Sequence, residues 1–477
     1  MIFNDLRDFI QKVDDLGDLK LIQGADYNLE IGAITELAAE KNGPALLFDN
    51  IKTYPKGYRI LTNVVATYQR MGLAFNLAYD LEPIDMVQAW KDRAKKMELI
   101  PPAKVSDGPV KENIISEEEI DLYKFPVPKW HELDGGRYIG TGDAIIMEDP
   151  DEGWINVGTY RVQIHDKSTV TIYTSPGRHA NIIRQKYWEK GKNCPVAVSC
   201  GHDPALAIAA IYPQPWGTSE YDVTGGIRGE PVKVIDGEYT GLPIPATAEI
   251  VLEGEIISPN EETRLEGPFG EWPGYYGIAT QQPIMKVKKI LHRNDPILLG
   301  APPMKPPASS FSALRETASL WEELEKTGIS DIKGVWINES GGSMGPITII
   351  SIKQRYAGHA TQTGLAAMGA RAGAYMGRFT IVVDEDVDIS NINDVLWAVS
   401  TRCDPENDIQ IIKNCWSSQL DPRIPPERKA RREFTNSRAL IIACRPFTWY
   451  KDFPKINVFS QNYRNKILKK WKKSGLF

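Results

Sequence analysis

Ala248-Glu-Ile-Val-Leu-Glu-Gly-Glu-Ile-Ile257 is followed, after a turn at Ser258-Pro-Asn260, by Glu266-Gly-Pro-Phe-Gly-Glu271-Trp-Pro-Gly-Tyr-Tyr-Gly277. The first passage is short, rich in Ile and Val and closed by turn residues, the signature of a strand. The second cannot be helical, and its prolines keep it out of a central strand. Its glycines and prolines, rather than ladder hydrogen bonds, are expected to fix its backbone as a rigid loop of a β domain. That loop carries two carboxylates, Glu266 and Glu271. Paired acids whose surroundings push their pKa values apart divide their labour: one stays ionised and the other delivers a proton. A solvated turn is the plain alternative. Phe269, Trp272, Tyr275 and Tyr276 argue for a covered loop, because their apolar area needs partners.

Outward from this passage, similar short runs recur at residues 144–147, 154–163, 169–173, 195–200, 232–235 and 283–290, separated by turns such as Asp149-Pro-Asp-Glu-Gly153. That pattern predicts an antiparallel sheet or barrel. On both sides, strands alternate with helices. Before the barrel, helices are expected over residues 5–16 (capped by Asn4), 29–41 and 83–97, with strands at 19–22 and 45–48. After the proline-rich stretch 301–307, helices are expected over 312–327 and 359–376, with strands at 334–338, 347–352 and 379–383. The fold class is therefore α/β (α+β), with boundaries at residues 1–110, 111–300 and 301–445. A tail, 446–477, ends in a basic segment with Ile467, Leu468 and Trp471 interleaved. Its apolar face is too small for stable membrane insertion, so docking on a neighbouring subunit is expected.

The 477 residues carry a formal net charge of −6, which gives no sign of a nucleic-acid partner. The polar amphipathic opening does not read as a secretory leader, and five scattered cysteines suit free thiols in a reducing cytoplasm.

Three further stretches carry chemistry. In Trp154-Ile-Asn156-Val-Gly158-Thr159-Tyr160-Arg161, Asn156 and Arg161 would face opposite sides of one strand unless a bulge, expected at Gly158, intervenes. Ser175-Pro-Gly-Arg178-His179 is a turn entering a helix, a candidate phosphate site. Thr218-Ser219-Glu220-Tyr221 supplies another acid. Asn156, His179 and Glu220 together offer an oxygen, imidazole and carboxylate set suited to manganese rather than zinc, or else are structural. Lys353 ends an apolar strand, where an anion or plain solvent is its partner.

Taken in order, Asp5-Leu-Arg-Asp-Phe9, Asn156-x4-Arg161, Gly177-Arg-His179, Ser219-Glu-Tyr221, Ala246-Thr-Ala-Glu-Ile-Val-Leu-Glu-Gly254 and Glu266-Gly-Pro-Phe-Gly-Glu271 form one part of a familiar series. Ile381-Val-Val-Asp-Glu-Asp-Val387, Asp394-Val-Leu-Trp-Ala398 and Thr401-Arg-Cys-Asp-Pro405 complete it. Together they resemble the UbiD family of prenylated-flavin decarboxylases. The resemblance implies a central flavin-reductase-like split β-barrel between an N-terminal α/β region and a C-terminal α/β oligomerisation domain. It implies prenylated FMN, with Mn2+ and K+ at its phosphate. Asn156, His179 and Glu220 would hold the manganese, and Trp154 would offer a main-chain oxygen to the potassium. Gly158, Thr159, Tyr160 and Arg178 would line the cofactor, and Lys353 would meet its phosphate. Arg161, Glu266 and Glu271 would be catalytic, with Glu271 as proton donor.

The implied reaction is the reversible, non-oxidative loss of CO2 from an aromatic or α,β-unsaturated carboxylic acid, with residues 305–314 bordering the substrate. A flavin prenyltransferase would supply the cofactor, and a homodimer or homohexamer is expected. Two other readings stand beside this one: an aromatic carboxylase or acyl-CoA thioester decarboxylase subunit working in a complex, and a flavin-binding assembly factor. A plain flavin reductase would oxidise NAD(P)H, and no GxGxxG fingerprint follows a strand here.

Overall fold

A computed structural model of the chain describes residues 3–307, 313–341 and 345–472. Residues 308–312, inside the stretch expected to border substrate, and 473–477, the end of the tail, lie outside the described residues. The middle of the chain builds a ten-stranded sheet. Eight strands lie side by side in the order Arg137–Gly140, Val162–Ile164, Thr169–Ile172, Thr280–His292, Ile250–Ile256, Cys194–Ser199, Ala144–Glu148 and Ile155–Gly158. Asn113–Ser116 and Thr263–Glu266 add to the long strand Thr280–His292.

Residues 159–161 alone join the last of these strands to the second. Laid flat, those two strands would be six spacings, about 29 Å, apart. The connecting residues reach at most about 14 Å. The sheet must therefore curl, and its two ends face each other as a half-barrel. Its interior is filled from both arcs by residues such as Ile139, Met147, Val162, Val196, Leu252 and Met285.

This arrangement corrects the expectation of one bulged strand over 154–163. The strand stops at Gly158 and a new one starts at Val162, so strand parity does not relate Asn156 to Arg161. The crossing is pinned by Thr159 N to Ala210 O at 3.0 Å and by Thr159 Oγ1 to Asp143 O at 2.8 Å. Gly158 is needed for space: a Cβ there would sit 2.6 Å from the Tyr160 ring, which folds back over it.

The acid passage also differs from an unpaired loop. Glu266 ends a strand opposite Thr280, and Phe269–Gly270 pairs with Tyr276–Gly277 as a minimal hairpin. Pro268 and Pro273 fall outside the paired positions, which is why their missing N–H groups are tolerated.

The N-terminal sheet runs Leu19–Gln23, Ala45–Asp49, Arg59–Thr62 and then Ile297–Leu299, which returns from the end of the barrel. The first helix, Leu6–Asp15, is capped by Asp5 rather than Asn4: the Asp5 side chain accepts from Asp8 N, while Asn4 bonds the Asp8 carboxylate. Arg7 on this helix forks onto fully buried Glu249 at 2.8 Å twice, and Arg293 reaches the same carboxylate at 3.3 Å. This cluster fastens the N-terminal helix to the barrel.

The C-terminal sheet has the order Ile332–Ile337, Ile347–Ile352, Phe379–Asp384, Thr435–Ala443 and Ile409–Trp416. The helix expected over 359–376 breaks in two, His359–Gly369 and Arg371–Ala374. Arg438 explains the break, because its guanidinium takes the Met368 and Gly373 carbonyls at 3.1 Å each. Helix Leu314–Lys326 packs on Pro83–Ala94 through Lys91 and Lys95 to Glu325, so the N- and C-terminal layers share one apolar core. The tail ends in the helix Gln461–Trp471, with Val458, Phe459, Tyr463, Leu468 and Trp471 exposed. No helix among the described residues is long and apolar enough to cross a membrane.

Candidate active site

The curl of the sheet delivers Arg161, at the inner end of the crossing, to the two acids. Arg161 grips Glu266 with two parallel bonds, Nε to Oε1 and Nη2 to Oε2, both 2.7 Å. Its third nitrogen, Nη1, donates to Glu271 Oε1 at 2.5 Å. The face of the guanidinium lies over Tyr173, 4.0 Å from the ring centre. This bidentate pairing is the geometry for which arginine is suited and lysine is not.

Glu266 is fully buried and also accepts from Tyr138 Oη at 3.1 Å. Gln163 holds the same corner, sharing the one Tyr138 hydroxyl proton with Glu266 through Oε1 at 3.1 Å and accepting from Gly267 N at 2.9 Å. The Tyr138 ring stacks on Phe269 with centres 3.9 Å apart. Of the four aromatic residues expected to be covered, Phe269 is buried against Tyr138 and shields the carboxylates, whereas Tyr275 and Tyr276 are exposed at the rim.

Burial raises the Glu271 carboxyl to about 6; Arg161 opposes that rise and Glu266 adds to it. Burial pulls Arg161 down, but the Glu266 bonds outweigh it and the net shift is upward. The acids are therefore held differently: one is clamped in a fork, and the other keeps its proton to a higher pH than an ordinary carboxyl, up to about 6.

A tight approach fixes this loop. Gly135 N donates to Pro268 O at 2.8 Å, and a Cβ on Gly135 would lie 1.9 Å from Gly267 O. Gly135→Ala must therefore push the acid passage away from Arg161. The expected cost is about 1–3 kcal/mol of stability, read as a lower Tm, together with reduced activity. An unchanged Tm would show that the loop yields freely.

At the other end of the crossing, Asn156, Gly158, Tyr160, Arg178, His179 and Glu220 line one pocket, closed by Ala210, Ile211, Tyr212 and Pro213. Asn156 lies in the strand Ile155–Gly158, His179 begins the helix His179–Glu189, and Glu220 begins the helix Glu220–Arg228. The sequence candidates, far apart in the chain, therefore meet. Burial holds the Glu220 carboxyl up to about 8, against the Val157 N–H that reaches its Oε2 at 2.7 Å. Among the described residues Glu220 makes no ion pair, and Arg315 only lowers its proton affinity through space. Burial, then Arg178, pulls His179 below its usual range, so the ring is neutral and able to ligate. The Asn156 amide nitrogen is buried without a partner, so the amide is free to present its oxygen. A buried lone carboxylate, a neutral imidazole and an uncommitted amide fit a divalent cation. Trp154 packs edge-on to His179 at 5.5 Å, and Thr159 serves the crossing through its bond to Asp143.

Lys353 is not brought to this pocket. It is half-exposed at the end of Ile347–Ile352, with Nζ 4.0 Å from Glu385. Tyr138, Gln163 and Arg315 belong to the surroundings of the site and were missed. Hydrophobic patterning carries no signal for a polar side chain that acts through a distant partner.

The domains that describe 3-octaprenyl-4-hydroxybenzoate carboxy-lyases of the UbiD type match in sequence: the N-terminal domain over residues 10–90, the Rift-related domain over 103–306 and the C-terminal domain over 309–443. Pyrrole-2-carboxylic acid decarboxylase of Pseudomonas aeruginosa is 35% identical over 446 residues, 90% of this chain and 88% of that protein. Phenolic acid decarboxylase of Bacillus subtilis is 33% identical, covering 89% and 90%. Among solved structures, vanillic acid decarboxylase of Sedimentibacter hydroxybenzoicus in open form superposes with a TM-score of 0.86 at 29% identity, covering 99% of this chain and 100% of that one. The UbiD-class enzyme HmfF of Pelotomaculum thermopropionicum in complex with FMN gives 0.85 at 27% identity, covering 96% and 98%.

Proposed function

The chain belongs to the UbiD family of carboxy-lyases, and from that membership we propose that it catalyses prenylated-FMN-dependent, non-oxidative decarboxylation of an aromatic or α,β-unsaturated carboxylic acid. The observation that carries this reading is the Arg161–Glu266–Glu271 cluster, with one acid clamped and the other raised to about 6. When bound, prenylated FMN supplies the electron sink that loss of CO2 requires.

The protein's part is positional and electrostatic. Asn156, His179 and Glu220 would hold Mn2+ beside the flavin phosphate, and Trp154 would give a main-chain oxygen to K+. Gly158, Tyr160 and Arg178 line the same pocket, and with Thr159 they would take the phosphate end of the cofactor. Arg161 keeps Glu266 fixed and orients Glu271. Glu271 returns a proton to the carbon that has lost CO2. The same path run backwards is carboxylation. A flavin prenyltransferase supplies the cofactor, and the exposed Val458, Phe459, Leu468 and Trp471 support docking of the tail on a second copy of the chain in a homodimer or homohexamer.

The test is CO2 release from a panel of pyrrole, phenolic and acrylic acids by protein co-expressed with a flavin prenyltransferase, with solvent-deuterium exchange at the product carbon. Release and exchange on at least one class are expected; neither on any class contradicts the reading.

Manganese must displace the proton that burial keeps on Glu220. Its affinity should therefore fall as the pH drops below about 8, roughly tenfold per unit. Metal titrations of apo-protein between pH 6 and 8 check this, and a pH-independent affinity would mean that Glu220 is already ionised before the metal arrives.

A further inference from the structure

Among the described residues Arg315 makes no ion pair, although Glu316 and Glu220 are near enough for their charge to act on it. It lies in the first turn of the helix Leu314–Lys326, half-buried in the crowded junction between that helix and the barrel. Its charge sits over the Tyr212 ring, 4.5 Å from the centre, and its hydrogen bond, Nη2 to Gln214 Oε1, is long at 3.4 Å. Among the described residues no Asp or Glu comes within ion-pair distance of it. Arg70 holds Asp18, Arg161 holds Glu266, Arg228 holds Asp203 and Arg402 holds Asp384, while buried Arg184 and Arg438, which also lack a carboxylate, spend their donors on the Asn181 amide oxygen and on main-chain carbonyls.

The neighbouring acid does not fill the role. Burial pushes Glu316 up to about 7, and its Oε2 is buried without a partner. A guanidinium carries five donors in a rigid fork, and a desolvated one requires an anion or several acceptors. Among the described residues, Gln214 Oε1 is the one acceptor that the Arg315 donors meet.

Its position says which anion. Tyr212, on which Arg315 rests, is a wall of the pocket formed by Asn156, Arg178, His179 and Glu220. Arg315 is close enough to Glu220 to lower the proton affinity of that carboxyl through space. Arg178 reaches the same pocket from the start of the helix His179–Glu189.

We infer that Arg315 is a phosphate-binding residue of the flavin site, its other donors taking the terminal phosphate from the C-terminal layer while Arg178 approaches from the barrel. This rests on the flavin reading above. It gives Arg315 the role that the family resemblance assigns to Lys353, whose ammonium faces Glu385 on a half-exposed edge. A phosphate oxyanion matches the planar fork better than a single carbonyl does. Because Arg315 stands on the C-terminal helix and the pocket on the barrel, phosphate binding also ties the two layers together.

The experiment compares FMN with riboflavin, which lacks the phosphate, by fluorescence quenching on apo-protein at fixed Mn2+. The wild type should prefer FMN. Arg315→Gln should weaken FMN by about 10- to 100-fold, the scale of a lost hydrogen bond to a charged group, and leave riboflavin within twofold. Arg315→Lys should recover part of the loss. Unchanged riboflavin binding doubles as proof that the variant is folded. Unchanged FMN affinity in Arg315→Gln overturns the inference, as does an equal loss of both ligands, which marks a structural role. Lys353→Gln is run in parallel: loss of the FMN preference there, with its retention in Arg315→Gln, returns the phosphate to Lys353. A wild type that binds neither ligand fails the flavin reading itself, and the inference with it. FMN preference in the wild type that survives Arg315→Gln fails the inference alone.

Discussion

Glu271→Gln is expected to keep its cofactor and metal and to lose turnover by about 10²–10⁴-fold, the usual contribution of a positioned proton donor. The amide preserves the shape of the side chain and can still accept from Arg161 Nη1, so the site should stay assembled. What it cannot do is deliver a proton. Solvent-deuterium exchange at the product carbon should fall in step with turnover, since both need the same proton. The wild type should also show a pH dependence with a definite sign. Burial raises the Glu271 carboxyl, so it holds its proton up to about pH 6 and loses it above. Proton delivery by the free enzyme therefore declines as the pH rises through that value, and this limb should be absent from Glu271→Gln. Full turnover in the variant would move the donor elsewhere.

Arg161→Met should be the most damaging change to stability. It leaves fully buried Glu266 facing Glu271 with no counter-charge, and removing one partner of a buried pair costs about 3–5 kcal/mol. The Tyr173 ring would also lose its cation. The sign with pH follows from linkage. Arg161 opposes the rise that burial gives Glu271, so without it that carboxyl binds its proton still more tightly in the folded state than in the unfolded chain, and the deficit is largest above neutral pH and shrinks as acid protonates it. Urea unfolding at pH 7.5 and pH 5 measures both. A loss below about 1 kcal/mol at pH 7.5 would mean that water reaches the pair and screens it.

The strands and the acid passage were legible in the sequence because they depend on local chemistry: Ile and Val runs between turns, and proline and glycine where no ladder can form. The meeting of Asn156, His179 and Glu220 was legible only through the resemblance, since nothing in their spacing brings three separate elements to one pocket. The crossing at residues 159–161 was not legible. Apolar character runs on through 154–163, and periodicity reports which face is buried, not which strands are neighbours. The break at Ala370 depends on Arg438, which approaches from a different strand. Tyr138 and Gln163 act on Glu266 across more than a hundred residues, a contact that no window of sequence contains. The cap at Asp5 was missed by one residue because Asn4 and Asp5 are both good caps, and only the backbone decides between them.

The most direct measurement is the mass and absorbance spectrum of the small molecule released from protein co-expressed with a flavin prenyltransferase, with metal content determined on the same sample. The account predicts prenylated FMN with near-stoichiometric manganese. Protein that emerges with neither flavin nor metal under those conditions, though folded, would contradict it.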